Sequence, residues 1–144
     1  MVGLIVTGHG HFATGLTSSL DLIAGPQKNY VAVDFEQNHT TEDLEANLKA
    51  AFETLKDCDG IIVFSDLPGG SPFKVAVTVG LAYNNVNVLA GTNLPMLCEI
   101  AMARGFIEDA NSLTEMAINT GKDQVVKFEM KAPTNGPADG EDGI

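Results

Sequence analysis

Basic residues are scarce in this chain. The 144 residues include 8 Lys and Arg against 19 Asp and Glu, which gives a formal net charge of −11. A surface of this sign repels the phosphates of nucleic acids and of anionic lipid headgroups, so neither is expected as a partner. The charge instead favours a protein partner with a basic face.

Cysteine is also scarce. Cys58 and Cys98 are the two in the sequence, and they are far apart, with no CxxC spacing and no histidine cluster nearby. This pattern argues against a disulfide framework and against a zinc site. It is typical of small buried side chains in a reducing compartment.

Long hydrophobic runs are lacking as well. No stretch approaches the roughly 20 apolar residues that a membrane-spanning helix needs. The opening residues 1–7 carry no basic residue and are followed at once by polar and glycine positions, so they predict a buried strand rather than a signal peptide. These absences predict a cytoplasmic protein that does not insert into a membrane.

Hydrophobic residues, by contrast, make up 44% of the chain, which is enough to build the core of one domain. Four short runs are rich in β-branched residues and bounded by Gly, Asp, Asn or Thr, as buried parallel strands are. These runs are Leu4-Ile5-Val6, Tyr30-Val31-Ala32-Val33, Ile61-Ile62-Val63-Phe64 and Val86-Asn87-Val88-Leu89-Ala90.

Apolar residues at helical spacing separate these runs and predict five helices. The first helix is expected to end at Gly25-Pro26, and the second to begin with a capping box of Thr40 and Asp43. The third is expected to begin with Ser71 as N-cap and Pro72 at N1. The fourth is expected from Leu94-Pro95 to Gly105, and the fifth from about Ser112 to Gly121.

Strands that alternate with helices predict a flavodoxin-like α/β fold, with an open, mainly parallel sheet and helices on both faces. A further strand is predicted from Gln124 to Met130, and it can pair at an edge of the sheet or reach a second subunit. After residue 131 the composition changes to Pro, Gly, Asn, Asp and Glu. We therefore expect one domain over residues 1–131 and a flexible acidic tail over residues 132–144.

The residues that follow the predicted strands concentrate reactive groups at one edge of the sheet, where ligands of open α/β folds bind. His9 follows the first strand between Gly8 and Gly10, which leave its imidazole accessible to a bulky reactant. Asp66 follows the third strand. A carboxylate that accepts the N–H of an imidazole fixes its tautomer and stabilises the cation formed when the other nitrogen is phosphorylated. His9 and Asp66 are therefore the candidate catalytic residues.

Gly69, Gly70 and Ser71 come soon after Asp66, at the predicted start of the third helix. Backbone N–H groups and a hydroxyl at a helix N-terminus form a binding site for an anion. We expect these three residues, together with Gly10, to bind a phosphoryl group.

The other histidines carry weaker signals. His11 forms a His-x-His pair with His9, but one such spacing without a third ligand is a poor indication of a metal site. His39 is expected to be a solvated loop residue.

Two other functions stay open at this point. Gly8-x-Gly10-x-x-Ala13, followed by Asp34 at the end of the next strand, has the form of a dinucleotide-binding fingerprint. That interpretation leaves residues 66–73 unexplained, and the chain has no room for a substrate domain. A regulatory domain without chemistry would need neither an accessible histidine nor the glycine-rich loop.

Three segments together resemble a known family, the EIIA components of mannose-type phosphoenolpyruvate-dependent sugar phosphotransferase systems. The order of the predicted elements is similar too, so the resemblance extends over about residues 1–130. The matching segments are Ile5-Val6-Thr7-Gly8-His9-Gly10, Ser65-Asp66-Leu67-Pro68-Gly69-Gly70-Ser71-Pro72-Phe73 and Ala90-Gly91-Thr92-Asn93-Leu94-Pro95-Met96-Leu97.

The resemblance implies that His9 accepts a phosphoryl group from a phosphohistidine of the carrier protein HPr and passes it to a histidine of EIIB, upstream of the membrane components EIIC and EIID. Asp66 matches the carboxylate beside the family's active histidine, and Ser71 matches its phosphate-contacting serine. No cofactor or metal is implied. The resemblance also implies a homodimer in which residues 124–130 cross to the sheet of the other subunit.

The transported sugar is less well defined by the resemblance. The loop around His9 and the final residues 140–144 are most similar to N-acetylgalactosamine/galactosamine-type members, while mannose, fructose, sorbose and gluconate types stay open. A phosphotransfer domain of dihydroxyacetone kinase systems shares the histidine turn and is the nearest alternative.

Overall fold

The structure is a computed structural model, and it describes residues 1–131 of the chain. It contains four strands and five helices in the predicted alternation. In chain order these are β1 Gly3–His9, α1 Phe12–Ala24, β2 Tyr30–Phe35, α2 Thr41–Leu55, β3 Ile61–Ser65, α3 Ser71–Gly80, β4 Val86–Leu89, α4 Leu94–Ala103 and α5 Ala110–Asp123. None of the helices in this part of the chain has the length and apolarity needed to cross a bilayer.

The four strands form one sheet in the order β2-β1-β3-β4, and every neighbouring pair is parallel. This confirms the predicted α/β fold with a parallel sheet. The chain runs outward from β1 to β2 and then returns past β1 to begin again at β3 on its other side. The strand order therefore reverses between β1 and β3. In open α/β sheets, ligands bind at such a reversal, beyond the carboxyl ends of the strands.

Side chains on the two faces of the sheet form two parts of the core. Along β1, Leu4 and Val6 belong to one part and Ile5 to the other, because successive side chains of a strand alternate. Helices α1, α4 and α5 cover the first face, and α2 and α3 cover the second. Burial on both faces explains why the strands are continuous apolar runs.

Several predicted helix boundaries are confirmed. Gly25 follows the end of α1 with a φ of 81°, a conformation that glycine adopts without steric cost. Thr40 and Asp43 form the predicted capping box of α2. The Asp43 N–H donates to Thr40 Oγ1 at 3.1 Å, and the Thr40 N–H donates to the Asp43 carboxylate at 2.8 Å.

The predicted cap of α3 is wrong. Gly70, in an extended conformation, is the N-cap, while Ser71 is the first helical residue, and no side chain caps this helix. Pro72 therefore stands at the second helical position. That position suits proline as well as the first does, because neither N–H has a partner within the helix. The Ser71 hydroxyl is consequently not used as a cap.

The C-terminal segment is not a strand in the described single chain. α5 continues to Asp123, and residues 125–131 pair with no strand of the sheet. Four apolar side chains of this segment are at least 79% exposed: Val125, Val126, Phe128 and Met130. The crossing of this segment to a second subunit stays a prediction, and the predicted tail over residues 132–144 lies outside the described residues.

A buried cation ties the end of α4 to the amino-terminal ends of two strands. Arg104 is 2% exposed, and burial lowers the pKa of its guanidinium. The guanidinium donates to four oxygens: the carbonyls of Val2 and Asn29, each at 2.9 Å, the carbonyl of Lys28, and Gln27 Oε1 at 3.1 Å. These contacts connect α4 to the start of β1 and to the loop before β2. The sequence pattern did not predict them.

We predict that Arg104→Met destabilises the fold by about 2–4 kcal/mol, because three carbonyl groups lose a charged donor. Urea denaturation followed by circular dichroism measures the change. Lys122→Met removes a charge from the last turn of α5 and is the control; it should change stability by less than about 0.5 kcal/mol. Equal stability of Arg104→Met and the wild type would show that these bonds do not hold the fold together.

Candidate active site

His9 and Asp66 lie side by side where the strand order reverses. β1 continues beyond the predicted apolar run, so His9 is the last residue of the strand rather than part of a loop. Asp66 directly follows β3, which is paired with β1. The parallel pairing of these two strands brings both residues to the same edge.

Two hydrogen bonds join His9 to one oxygen of Asp66. His9 Nδ1 lies 2.8 Å from Asp66 Oδ2, and the His9 backbone N–H donates to the same oxygen at 2.9 Å. Since an ionised carboxylate can only accept, Nδ1 carries the proton, and Nε2 of the neutral ring has a free lone pair. The His9 side chain is 47% exposed, and that of Asp66 is 12% exposed. The pairing thus fixes the tautomer and leaves the ring accessible.

Hydrogen bonds keep Asp66 ionised and in place. Burial raises the pKa of this carboxyl, but the bonds from the His9 N–H, the His9 ring and the Leu67 N–H outweigh it, and the pKa lies below its ordinary value of 3.8. The Leu67 N–H donates to Asp66 Oδ1 at 2.8 Å. The backbone carbonyl of Asp66 accepts the N–H of Gly91, in the loop after β4, at 2.8 Å. Asp66 is therefore fixed from both neighbouring strands.

The start of α3 lies against the His9 ring. A Cβ atom added to Gly70 would come within 2.9 Å of His9 Cε1, so this approach requires glycine. Cε1 is bonded to both ring nitrogens, and Nδ1 faces Asp66, so the ring edge formed by Cε1 and Nε2 is the one near the N-terminus of α3. The N–H groups of Ser71 and Phe73 are the first two of the helix that can donate, and they have no partner within it. The predicted anion site and the candidate nucleophile are thus adjacent.

Two of the predicted phosphate-binding residues have their N–H groups engaged elsewhere. The Gly70 N–H donates to Leu67 O at 3.2 Å, and the Gly10 N–H donates to Phe35 O at 2.7 Å. Neither therefore has a donor to offer an anion, and both shape the backbone instead. Gly69, at a φ of 77°, turns the loop towards α3.

Phe35 is a contact of the site that we did not predict. It ends β2, and its ring centroid lies 6.0 Å from that of His9. The available signal was its position at the carboxyl end of a strand beside β1. Gly8 provides another close contact, because an added Cβ would lie 2.5 Å from Phe12 Cδ1. The first turn of α1 therefore packs directly on the strand that carries His9.

A second histidine–carboxylate pair lies on the same turn. His11 Nδ1 is 3.2 Å from Asp34 Oδ2, and His11 Nε2 is 3.3 Å from Glu36 Oε1. Asp34 also accepts the N–H of Thr14 at 3.0 Å and its hydroxyl at 2.6 Å. Burial raises the pKa of Asp34, but the bonds from Thr14 and His11 outweigh this effect, and the pKa lies below its ordinary value of 3.8. Both ring nitrogens of His11 thus face carboxylates.

The surroundings of His39, His11 and Asp34 bear on the metal-site and dinucleotide-binding interpretations. His39 is not the solvated residue that we expected: its side chain is 23% exposed, and its Nδ1 accepts the Glu36 N–H at 2.9 Å. Within residues 1–131, no group of three His, Cys, Asp or Glu side chains is arranged to hold a metal ion. The Asp34 carboxylate, which would bind a ribose in the dinucleotide interpretation, is occupied by Thr14 and His11. The geometry therefore favours a function centred on His9.

Comparison with known proteins identifies the family. A model of the EIIA-man family, described as PTS system fructose IIA component, matches residues 3–118. The PTS system mannose-specific EIIAB component of Escherichia coli K12 is 29% identical over 130 residues, which cover 90% of this chain and 40% of the relative. The chain thus spans less than half of that protein. The PTS system fructose-specific EIIA component of Bacillus subtilis is 28% identical over 104 residues, 72% of this chain and 71% of the relative.

Two solved structures are similar over nearly their whole length. Phosphotransferase system component EIIA from Streptococcus agalactiae has a TM-score of 0.81 at 33% identity, covering 89% of this chain and 98% of that one. The mannose/sorbose specific IIA subunit from Enterococcus faecalis has a TM-score of 0.83 at 26% identity, covering 92% and 98%. These matches confirm the resemblance drawn from the three sequence segments. The chain therefore belongs to the mannose family of PTS EIIA components.

Proposed function

We propose that this chain is a phosphoryl carrier of a phosphoenolpyruvate-dependent sugar phosphotransferase system. His9 accepts the phosphoryl group from a phosphohistidine of HPr and passes it to a histidine of EIIB, which serves the membrane components EIIC and EIID. The observation that carries the proposal is the pairing of His9 with Asp66 beside the start of α3. It combines a nucleophile of fixed tautomer with an anion site on one accessible surface.

The transfer takes place between two imidazole rings. Nε2 of neutral His9 attacks phosphorus while the P–N bond to the donor imidazole breaks, and the donor ring leaves as a neutral imidazole. His9 then carries the phosphoryl group on Nε2 and a proton on Nδ1, so its ring is cationic. Asp66 stabilises this cation through the 2.8 Å contact with Nδ1. Passage to EIIB is the reverse exchange, and it requires no metal or organic cofactor.

The phosphoryl oxygens bind at the N-terminus of α3. Ser71 offers both its N–H and its hydroxyl, which no cap engages, and Phe73 offers the next N–H. Gly69 and Gly70 bring this helix start close to the ring, and Gly10 shapes the turn after His9. The protein's contribution is thus mainly to position groups and to stabilise charge.

The surroundings of the site suit transfer between proteins. His9 is half exposed, as a residue must be that reacts with a histidine of another protein. The net charge of −11 suits partners with basic docking faces. A homodimer in which residues 124–130 cross to the partner's sheet would cover the exposed apolar side chains of that segment. A cytoplasmic location follows from exchange with HPr.

The sugar is the finer part of this proposal. The relatives and structures described above carry the names mannose, fructose and sorbose, which supports sugar uptake over the dihydroxyacetone kinase alternative. The resemblance of the His9 loop to N-acetylgalactosamine/galactosamine-type members makes an amino sugar the first substrate to test.

We predict that His9→Ala takes up no acid-labile phosphate when it is incubated with labelled phosphoenolpyruvate, Enzyme I and HPr, because it lacks the attacking nitrogen. The wild type is expected to be labelled stoichiometrically. His11→Asn is the matched control and should be labelled like the wild type, since both nitrogens of His11 already face carboxylates. Label on His9→Ala at the wild-type level, or none on the wild type, would refute the proposal.

Asp66→Asn should slow phosphoryl transfer to His9 by about 100-fold. An amide can donate to Nδ1 as well as accept from it, so it does not select the Nδ1–H tautomer, and it carries no charge to neutralise the cationic product. Rapid-quench measurement of single-turnover transfer from phospho-HPr tests this. Unchanged kinetics would remove the role assigned to Asp66.

The same variant has a second signature in stability. The folded-state pKa of Asp66 lies below its unfolded value, so its ionised form stabilises the fold above about pH 4, and this contribution is lost as pH falls through the folded-state pKa. The stability difference between the wild type and Asp66→Asn should therefore shrink below pH 4 in urea titrations. A difference that is constant from pH 6 to pH 3 would contradict the assigned ionisation.

Gly70→Ala should reduce transfer by about tenfold or more in a folded protein, because its Cβ would lie 2.9 Å from His9 Cε1 and displace the ring from Asp66. Gly15→Ala in α1 is the control: its Cβ meets no atom within 4 Å, so transfer is unchanged and stability rises by about 0.5–1 kcal/mol. Equal transfer by the two variants would show that the close approach to His9 is not required.

A further inference from the structure

The carboxyl edge of the sheet is poor in positive charge. The segments 9–12, 34–41, 65–75 and 90–95, which comprise ends of strands, the turns after the strands and starts of helices, contain three carboxylates: Asp34, Glu36 and Asp66. They contain one Lys or Arg, which is Lys74. A phosphoryl group on His9 would add about two negative charges to this edge. Lys74 is then the one full positive charge of a Lys or Arg in these segments, beside neutral donors such as backbone N–H groups and the Ser71 hydroxyl.

Lys74 lies one turn into α3, the helix whose N-terminus forms the proposed phosphoryl site. Its N–H donates to the carbonyl of Gly70 at 2.9 Å, which places it at the end of the first helical turn. Ser71 and Lys74 are three residues apart, so their side chains share one face of the helix. Helical side chains lean towards the N-terminus, and a lysine stem reaches about 6 Å from its Cα. The ammonium can therefore reach over Ser71 towards the group carried by His9.

The Lys74 ammonium is also available for such a contact. The residue is exposed, and no carboxylate within residues 1–131 forms an ion pair with it. Glu45 lines the same shallow groove as Lys74, but its carboxylate is 3.0 Å from Lys49. Four other lysines within residues 1–131 are likewise without an ion pair, so what distinguishes Lys74 is its place near the carboxyl edge of the sheet.

We propose that Lys74 is a catalytic residue whose ammonium binds a phosphoryl oxygen of His9 during transfer, an inference that rests on the proposed function. The lysine forms and breaks no covalent bond. It stabilises the charge on the equatorial oxygens while the P–N bond to the donor breaks and the bond to His9 Nε2 forms. Ser71 and Phe73 supply directed N–H donors, and Lys74 adds the charge that they lack.

Single-turnover transfer from phospho-HPr tests this, with the wild type, Lys74→Met and Lys74→Arg. The rate constant at saturating phospho-HPr should fall about tenfold or more in Lys74→Met and recover largely in Lys74→Arg, while the half-saturating concentration changes less than about twofold. The phosphorus NMR shift of phosphorylated His9 should also differ between the wild type and Lys74→Met. Lys28→Met removes one charge from the loop before β2, at the opposite edge of the sheet, and should leave all three quantities unchanged.

Three outcomes would overturn the assignment. The first is an unchanged rate constant in Lys74→Met. The second is a change confined to the half-saturating concentration, which would make Lys74 a docking contact for HPr. The third is an equal loss in Lys28→Met, which would indicate overall charge. Failure of the proposed function is distinguishable from all three, because the wild type itself would then take up no phosphate.

Discussion

The hydrogen bond between His9 and Asp66 exists because β1 and β3 are adjacent parallel strands that end at the same edge. The two strands lead to crossovers that run in opposite directions, one to β2 and the other to β4. Right-handed crossovers in opposite directions place their helices on opposite faces of the sheet, and α1 and α3 are arranged in this way. The loops after β1 and β3 therefore diverge and leave an opening between them. His9 occupies that opening, with the Asp66 carboxylate directly after the neighbouring strand and the start of α3 against its ring.

Two histidines on one turn face similar carboxylates, yet their surroundings suit different tasks. Asp66 is 12% exposed and binds the ring of His9 on one nitrogen, which leaves the other nitrogen beside the N–H groups of α3. His11 is 72% exposed and has a carboxylate at each nitrogen, with Asp34 in turn bonded to Thr14 in α1. An anion added to His11 would meet Glu36, whereas an anion added to His9 meets a helix N-terminus. His11 instead contacts the carboxylates of Asp34, in β2, and Glu36, directly after it.

The predictable features are those that depend on local sequence or on strand order. Apolar runs located the strands, and the capping box of Thr40 and Asp43 located the start of α2. The meeting of His9 with Asp66 followed from the rule that parallel strands end at one edge. Contacts between distant segments were not accessible in this way. Nothing local indicates that Gly70 is required by the ring of His9, or that Arg104 binds carbonyls of residues 2, 28 and 29. Ser71 has the right residue type for a cap, but the extended backbone of Gly70 takes that place.

An acidic edge around a phosphoryl group has a consequence for a carrier that both receives and releases it. Neutral N–H donors at a helix start stabilise the phosphoryl oxygens only modestly, and the nearby carboxylates of Asp34 and Glu36 oppose them. A site lined with several arginines would hold the group more firmly and would raise the barrier to passing it on. We infer that the single Lys74 over an open site binds the phosphorylated state less firmly than several arginines would. The scarcity of basic residues, which argues against a nucleic-acid partner, thus also suits a phosphoryl group that has to be passed on.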